Sequence, residues 1–196
     1  PPMPEQANRS LSAAETRDRM LAEVSPIAGH EFLPVRSALG RILAADVVGY
    51  SKLVGRDEAG TLAQLRGLQT EVIEPAIGKH AGRLFKAVGD GFLVEFASAV
   101  QAVEAAQAIQ QANAQGELPL RIGIHVGDVV VQGDDLMGDG INVAARIEAV
   151  ADAGGIALSR QVYDQVRDRL DTAFLDKGEV ELKNIARNPT SRTSPP

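Results

Sequence analysis

The amino-acid sequence predicts an α+β fold, with helices on one face of a mostly antiparallel sheet. Strand patterning is the first observation, and apolar residues dominate or alternate in ILAADVVGYS (42–51), RLFKAV (83–88), FLVEF (92–96) and LRIGIHVGDVVVQG (120–133). Helical spacing of apolar residues is the second, and it occurs in 57–74 and in 97–114. The resulting order, β-α-β-β-α-β, indicates a ferredoxin-like sandwich.

Local signals set the expected limits of these elements. Pro75 should end or kink the first helix, because proline lacks the N–H that continues a helical ladder. Gly89-Asp90 is typical of a two-residue hairpin turn, and Ser98 with Gln101 predicts a capping box for the second helix. Residues 138–185 add a glycine-led helix, a strand, another helix and a closing strand pair, which are C-terminal αβ additions to the sandwich.

Composition bounds the organisation and the partners of the chain. Its 196 residues are 44% hydrophobic, which suffices for one core, and we expect the domain at 41–185, between an arm or linker at 1–40 and a polar, Pro-rich tail at 186–196. The net charge of −6 without a basic run argues against a nucleic-acid partner. No cysteine and no apolar run of membrane length occur, so a cytoplasmic location is expected, while membrane attachment of a longer parent chain stays open.

Two aspartates are candidate metal ligands. Asp46 lies among apolar residues of the first strand, where a carboxylate needs a partner, and Asp90 lies at the hairpin tip. If the first strand lies beside the strand that follows the first helix, the two carboxyl groups converge, and Mg²⁺ or Mn²⁺ would relieve their repulsion. Taken singly, Asp90 is equally a normal turn residue and Asp46 a hydrogen-bonded structural acid.

Further polar residues suggest a nucleotide. Strict alternation places Lys86 on one face with Leu84 and Val88, where it either reaches solvent or donates to a ligand. Asn142 and Arg146 are four residues apart and share a helical stripe near a glycine-led N-terminus, which favours phosphate. Alternatively, Arg146 and Glu148 are simply solvated helix residues. His125 alternates with apolar residues, which indicates a structural role.

Four segments in order, ADVVGYS, KAVGDG, LRIGIHVGDV and DDLMGDGINVAARIE, resemble the catalytic domain of class III nucleotidyl cyclases, from about Arg41 to Ile185. The resemblance implies that Asp46, Asp90 and the carbonyl of Val47 bind two Mg²⁺ or Mn²⁺ ions per site. It implies that Lys86 and Asp135 read adenine. By the same resemblance, Asn142 orients the ribose, Arg146 stabilises the transition state, and Lys183 binds phosphate.

The resemblance also implies the reaction and the assembly. An adenylate cyclase would convert ATP into cyclic AMP and pyrophosphate, in a homodimer whose sites each combine metal ligands of one copy with nucleotide-binding residues of the other. Two alternatives remain: a non-catalytic nucleotide-binding or dimerisation module with the same fold, and another two-metal nucleotidyl transferase such as a diguanylate cyclase. The GDGF tip argues against the last, and the departure ARNPTSRTSPP after the LKNI segment leaves Lys183 and a final edge strand open.

Overall fold

A central sheet organises the part of the chain that the structure, a computed structural model, describes: residues 39–132, 135–178 and 191–194. Its strands in chain order are β1 (Leu39–Val47), β2 (Gly82–Val88), β3 (Gly91–Phe96), β4 (Leu120–Asp128), β7 (Ile156–Ser159), β8 (Leu175–Asp176) and β9 (Ser191–Ser194). Two further strands, β5 (Val130–Gln132) and β6 (Asp135–Met137), form a separate antiparallel ribbon. The expected arm at 1–40 lies almost wholly outside the described residues.

The sheet has the strand order β2-β3-β1-β4-β7-β9-β8. The first four strands pair antiparallel throughout and form the predicted β-α-β-β-α-β core, whereas β4 and β7 pair in parallel. The α+β prediction is therefore confirmed. The expected neighbour of β1 was wrong, however, because β3 and not β2 lies beside it, with β2 at the edge.

Six helices are described: α1 (Tyr50–Val54), α2 (Glu58–Gly67), α3 (Glu74–Lys79), α4 (Ala99–Ala112), α5 (Asp139–Glu148) and α6 (Arg160–Val166). The main apolar cluster joins α2, α3, α4 and α6 to one face of the sheet through residues such as Phe92, Ile122 and Ile109. On the opposite face, Ala144 of α5 packs against Ile42 and Ala44 of β1. The two helices of the β-α-β-β-α-β core thus share one face, while the C-terminal addition α5 covers part of the other.

Pro75 does not end the first helical segment. Helix α2 passes into a π-helical stretch at Leu68–Ile73 and then into α3, in which Pro75 occupies the first turn. Proline fits there because first-turn N–H groups need no helical partner, and the widened turn before it accommodates the lost hydrogen bond. The sequence located the irregularity but not its form.

The predicted capping box at the start of α4 is also wrong in part. Ser98 is the N-cap residue with an extended backbone, but its side chain makes no capping hydrogen bond. The helix is held instead by burial of its alanine-rich face, in which Ala102, Ala105 and Ala106 have no exposed surface. Packing of an amphipathic face thus dominates over local capping at this site.

Strand β9 lies between β7 and the edge strand β8, and it pairs antiparallel with both. Residues 191–194 lie in the segment that the sequence predicted to be a polar tail. In the structure they form a strand of the sheet instead. Backbone hydrogen bonds do not depend on apolar side chains, so the polar composition of SRTS concealed this strand. Among the described residues, no helix is both long and apolar enough to cross a bilayer.

Candidate active site

The end of β1 and the tip of the β2–β3 hairpin meet at one place. Ala45 pairs with Phe92, and continuing this register brings Asp46 opposite Gly91, next to Asp90. The turn is tight because Gly89 has a positive φ of 61°, which suits the predicted two-residue loop. The structure therefore brings the two candidate carboxylates together, although β1 pairs with β3 instead of β2.

The electrostatics of Asp90 reflect this convergence. Partial burial raises the pKa of its carboxyl above the ordinary value, and the neighbouring Asp46 carboxyl raises it further. Backbone N–H groups of Asp90 itself and of Val47 donate to the carboxyl and oppose the rise. Val47 is 2% exposed at the end of β1, so its backbone lies directly beside the pair.

Arg121 on β4 binds the same carboxylate from the other side. It stands opposite Asp46 in the β1–β4 register, and its Nη2 atom donates to Asp46 Oδ2 over 2.9 Å. Its Nε atom lies 2.7 Å from Glu148 Oε1, an ion pair whose N–H is not well directed along the contact. Partial burial works against the charge of Arg121, but the two carboxylates raise its pKa above the ordinary value.

Glu148 is the deepest charge of the group. The residue is only 7% exposed, so the expectation that it is a solvated helix residue was wrong. Burial raises the pKa of its carboxyl to about 7, and Asp46 and Asp90 add to the rise, while Arg121 opposes it. Helix α5 thus places a buried acid beneath the predicted metal ligands.

A β-bulge determines which face of β2 carries Lys86. The β2–β3 register shifts between Leu84 and Lys86, because Phe85 is an extra residue in β2. Leu84 packs with the main cluster, whereas Lys86 and Val88 line a cavity of about 210 Å³ together with Asp46 and Glu148. Strict alternation therefore wrongly grouped Leu84 with Lys86, because one inserted residue reverses the facing of all that follow.

Asn142 and Arg146 lie on α5, on a stripe away from Glu148. Asn142 is exposed and Arg146 is half-buried, as their four-residue spacing predicts for a shared face. Neither Asn142 nor Arg146 is among the described residues that line the cavity of Asp46 and Lys86. The α5 stripe of Asn142 and Arg146 thus does not contribute to the cavity that Asp46 lines, although the neighbouring Ala145 does.

The structure describes one predicted nucleotide-binding residue, Asp135, only by its backbone, and it does not describe another, Lys183. The backbone of Asp135 belongs to β6, where it pairs with Gln132, and β6 contacts β2, the strand of Lys86. The side chain of Asp135 and the whole of Lys183 lie outside the described residues. Their assignments to adenine and phosphate remain predictions.

His125 is buried on β4 with 6% exposure, and burial lowers its pKa to about 4. Its Nδ1 atom has no hydrogen-bond partner among the described residues. The imidazole is therefore neutral at ordinary pH, as a structural role predicts.

The residues present fit a divalent cation held by carboxylate and carbonyl oxygens. No cluster of three or more acidic, histidine or cysteine ligands occurs in the described part of the chain, so the candidate donors are Asp46, Asp90 and the Val47 backbone. Burial and, after it, the Asp46 carboxyl raise the pKa of Asp90, and a cation between the two groups would stabilise the charged form of Asp90. Hard oxygen donors of this kind suit Mg²⁺ or Mn²⁺.

Sequence reasoning missed Arg121 and Glu148. Both sit beside apolar neighbours, in LRIGI and RIEAV, and a charge in such a setting is a signal for a buried ion pair. The link that Arg121 makes between Asp46 and Glu148 follows only from the register of β1 on β4 and from the packing of α5.

Comparison with known proteins decides the family. Residues 41–192 match the model of the adenylate and guanylate cyclase catalytic domain. The chain belongs to this family. It is 52% identical over 161 residues to “Putative adenylate cyclase 3” of Rhizobium meliloti, a match that covers 78% of this chain and 27% of that protein. It is 25% identical over 162 residues to an adenylate cyclase of Mycobacterium tuberculosis, which covers 72% of this chain and 36% of the relative.

Solved cyclase domains have the same fold. The crystal structure of an adenylate/guanylate cyclase/hydrolase from Silicibacter pomeroyi superposes with a TM-score of 0.76 at 39% identity, covering 81% of this chain and 96% of that one. The adenylyl cyclase CyaB from P. aeruginosa superposes with a TM-score of 0.70 at 24% identity, covering 81% and 94%. The chain spans between about a quarter and about a third of the length of the two curated relatives above. The resemblance to the cyclase family and the predicted fold are both confirmed.

Proposed function

We propose that this cyclase domain converts ATP into 3′,5′-cyclic AMP and pyrophosphate in a homodimer, with two Mg²⁺ or Mn²⁺ ions per site. The observation that supports it most is the convergence of Asp46 and Asp90 at the end of β1. Names of relatives point the same way, since proteins of Rhizobium meliloti and Mycobacterium tuberculosis that match this chain are named adenylate cyclases.

Asp46, Asp90 and the Val47 carbonyl hold the cations in this proposal. Bound there, divalent cations supply Lewis acidity, which makes the ribose 3′-hydroxyl more acidic and neutralises the triphosphate. The chain's part is to fix the carboxylates before the nucleotide arrives, because preorganised charge needs no rearrangement during the reaction.

The nucleotide is read by residues from a second copy of the chain. Lys86 donates to N1 of adenine, and Asp135 accepts from the exocyclic amine, while guanine has the opposite polarity at both positions. The exposed Asn142 orients the ribose, and Arg146 offsets charge that develops on the α-phosphate. Lys183 binds the phosphates. The absence of Asn142 and Arg146 from the lining of the Asp46 cavity within one copy favours such a shared site.

Chromatographic product analysis tests this function. With ATP and Mn²⁺, the wild-type domain should release cyclic AMP and pyrophosphate, and it should use GTP poorly. Asp46→Asn and Asp90→Asn should each lower turnover about a hundredfold or more, since each removes a cation ligand. Glu104→Gln is the matched control, because this glutamate pairs with His80 on the helical side of the sheet and should retain activity.

The alternative functions give different products. Binding of nucleotide without release of pyrophosphate, at high Mn²⁺ and high protein concentration, would support a non-catalytic module. Turnover of GTP in preference to ATP would contradict the roles given to Lys86 and Asp135. Wild-type turnover in either aspartate variant would remove the basis of the whole proposal.

A further inference from the structure

Glu148 is a buried acid with no role in the proposed reaction. Its side chain is 10% exposed, at the C-terminal end of α5. A buried carboxylate is costly unless it is paired, and here the partner is the Arg121 guanidinium, whose Nε atom lies 2.7 Å from Glu148 Oε1. Such a costly arrangement calls for an explanation in terms of what it holds in place.

Arg121 connects Glu148 with Asp46. Its Nη2 atom donates to Asp46 Oδ2 over 2.9 Å, while its Nε atom faces Glu148. A guanidinium is planar and rigid, so fixing one edge on Glu148 fixes the direction of the other edge toward Asp46. One oxygen of the predicted metal ligand is thereby engaged, and the orientation of its carboxyl group is set.

The backbone keeps this geometry stiff. A Cβ atom at Gly123 of β4 would lie 2.1 Å from the backbone nitrogen of Glu148 and 2.6 Å from the carbonyl oxygen of Ala144. Helix α5 therefore rests directly on β4, two residues along the strand from Arg121. The backbone of Glu148 cannot shift away from β4 without moving the helix.

The balance of charges around Arg121 affects how well Asp46 can bind a cation. Two carboxylates, those of Asp46 and Glu148, share one guanidinium, and the Asp90 carboxyl lies close enough to both of these acids to add negative charge. Glu148 takes part of the positive charge of Arg121, which would otherwise be neutralised by Asp46 alone. With the arginine shared, Asp46 keeps more of its negative charge for a cation.

We propose that Glu148 is a positioning residue for the cation ligands: through Arg121 it orients Asp46 and limits the competition of the guanidinium with the cation. This inference rests on the proposed function, in which Asp46 and Asp90 bind divalent cations. In this proposal Glu148 acts through Arg121 and is not itself a cation ligand. Partners that orient a metal ligand commonly contribute ten- to hundredfold to metal affinity.

The inference is tested by measuring the affinity for Mn²⁺ in the absence of nucleotide. The electron paramagnetic resonance signal of the free ion reports how much Mn²⁺ remains unbound. At about pH 8, above the Glu148 pKa of about 7, Glu148→Gln keeps the size of the side chain and removes its charge, and it should weaken Mn²⁺ binding about tenfold. In cyclase assays it should raise the Mn²⁺ concentration for half-maximal activity more than it lowers kcat. Glu104→Gln should leave both quantities unchanged, and circular dichroism verifies that each variant is folded.

A double-mutant cycle tests the path through Arg121. If Glu148 acts through this arginine, Glu148→Gln should have little effect on Mn²⁺ binding in an Arg121→Gln background, because the connection is already lost. The double variant also lacks an uncompensated buried cation, so it gives a folded comparison even if Glu148→Gln alone is unstable. A tenfold effect of Glu148→Gln that persists without Arg121 would overturn the inference.

Asp46→Asn separates the two proposals. If Asp46→Asn weakens Mn²⁺ binding and Glu148→Gln does not, only the role of Glu148 is wrong. If Asp46→Asn binds Mn²⁺ like the wild type, the proposed cation site fails, and the inference fails with it. If both variants bind Mn²⁺ more weakly, and the effect of Glu148→Gln is lost in the Arg121→Gln background, both proposals are supported.

Discussion

His125 is the residue whose burial has the clearest consequence for stability. Burial lowers the pKa of this imidazole from 6.5 to about 4, so the unfolded chain binds a proton between these values that the folded domain does not. The free energy of unfolding is therefore unaffected above pH 6.5 and falls as the pH decreases toward 4. The full effect of His125 is roughly 3 kcal/mol.

Denaturant titrations between pH 4.5 and 7.5 measure this dependence. The wild type should lose stability on acidification more steeply than His125→Gln, in which the proton uptake is absent. The comparison is made within each protein across pH, so a constant cost of the substitution cancels. Parallel stability curves for the two proteins would show that His125 titrates alike in folded and unfolded chains.

Single residues also show how much of the site can be predicted from the sequence. Asp46 and Asp90 are predictable, because an acid in an apolar strand and a Gly-Asp-Gly tip each carry a local signal. The facing of Lys86 is not, since a one-residue bulge at Phe85 leaves no distinct pattern in LFKAV. Glu148 escapes for a different reason: its partner, Arg121, is distant in the chain and becomes a neighbour only through tertiary packing.

At the scale of elements, the contact between α5 and β4 determines where Glu148 stands. Gly123 permits this contact, and a methyl group there would collide with backbone atoms of Ala144 and Glu148. Gly123→Ala should lower the free energy of unfolding by about 1 to 3 kcal/mol, because the helix must move off the sheet. It should also weaken Mn²⁺ binding, because Glu148 moves with the helix.

Gly67→Ala is the matched control in chemical denaturation. Gly67 has helical backbone angles, φ −59° and ψ −47°, and a Cβ atom there would meet nothing within 4 Å. The same substitution should therefore stabilise the domain, by about 0.5 to 1 kcal/mol. Equal effects at both glycines would refute the close approach of α5 to β4.

Elements were easier to predict than their connections. The strands of the core and the long helix α4 follow from apolar periodicity, which is strong in buried sheets and amphipathic helices. The π-helical stretch before Pro75 and the strand β9 depend on backbone hydrogen bonding, which side-chain patterns do not encode. For the same reason, the order of β3 and β2 beside β1 did not follow from the chain order alone.

On the scale of the whole molecule, the proposed function divides the residues of each chain between two half-sites. Asp46 of β1 lies beside Asp90 at the hairpin tip, whereas Asn142 and Arg146 lie on a stripe of α5 that does not line the cavity of Asp46. A homodimer related by a two-fold axis can bring each half-site of one copy to the other half-site of its partner. Activity should then fall on dilution as dimers dissociate.

Mixing two inactive variants tests this arrangement most directly. Asp90→Asn and Arg146→Ala should each be inactive alone, because each damages both sites of its homodimer. After subunit exchange, half of the dimers are mixed and each has one intact site, so the mixture should recover about a quarter of the wild-type activity. A mixture that forms mixed dimers, as pull-down with two tags would show, and still makes no cyclic AMP would contradict a catalytic site shared between copies.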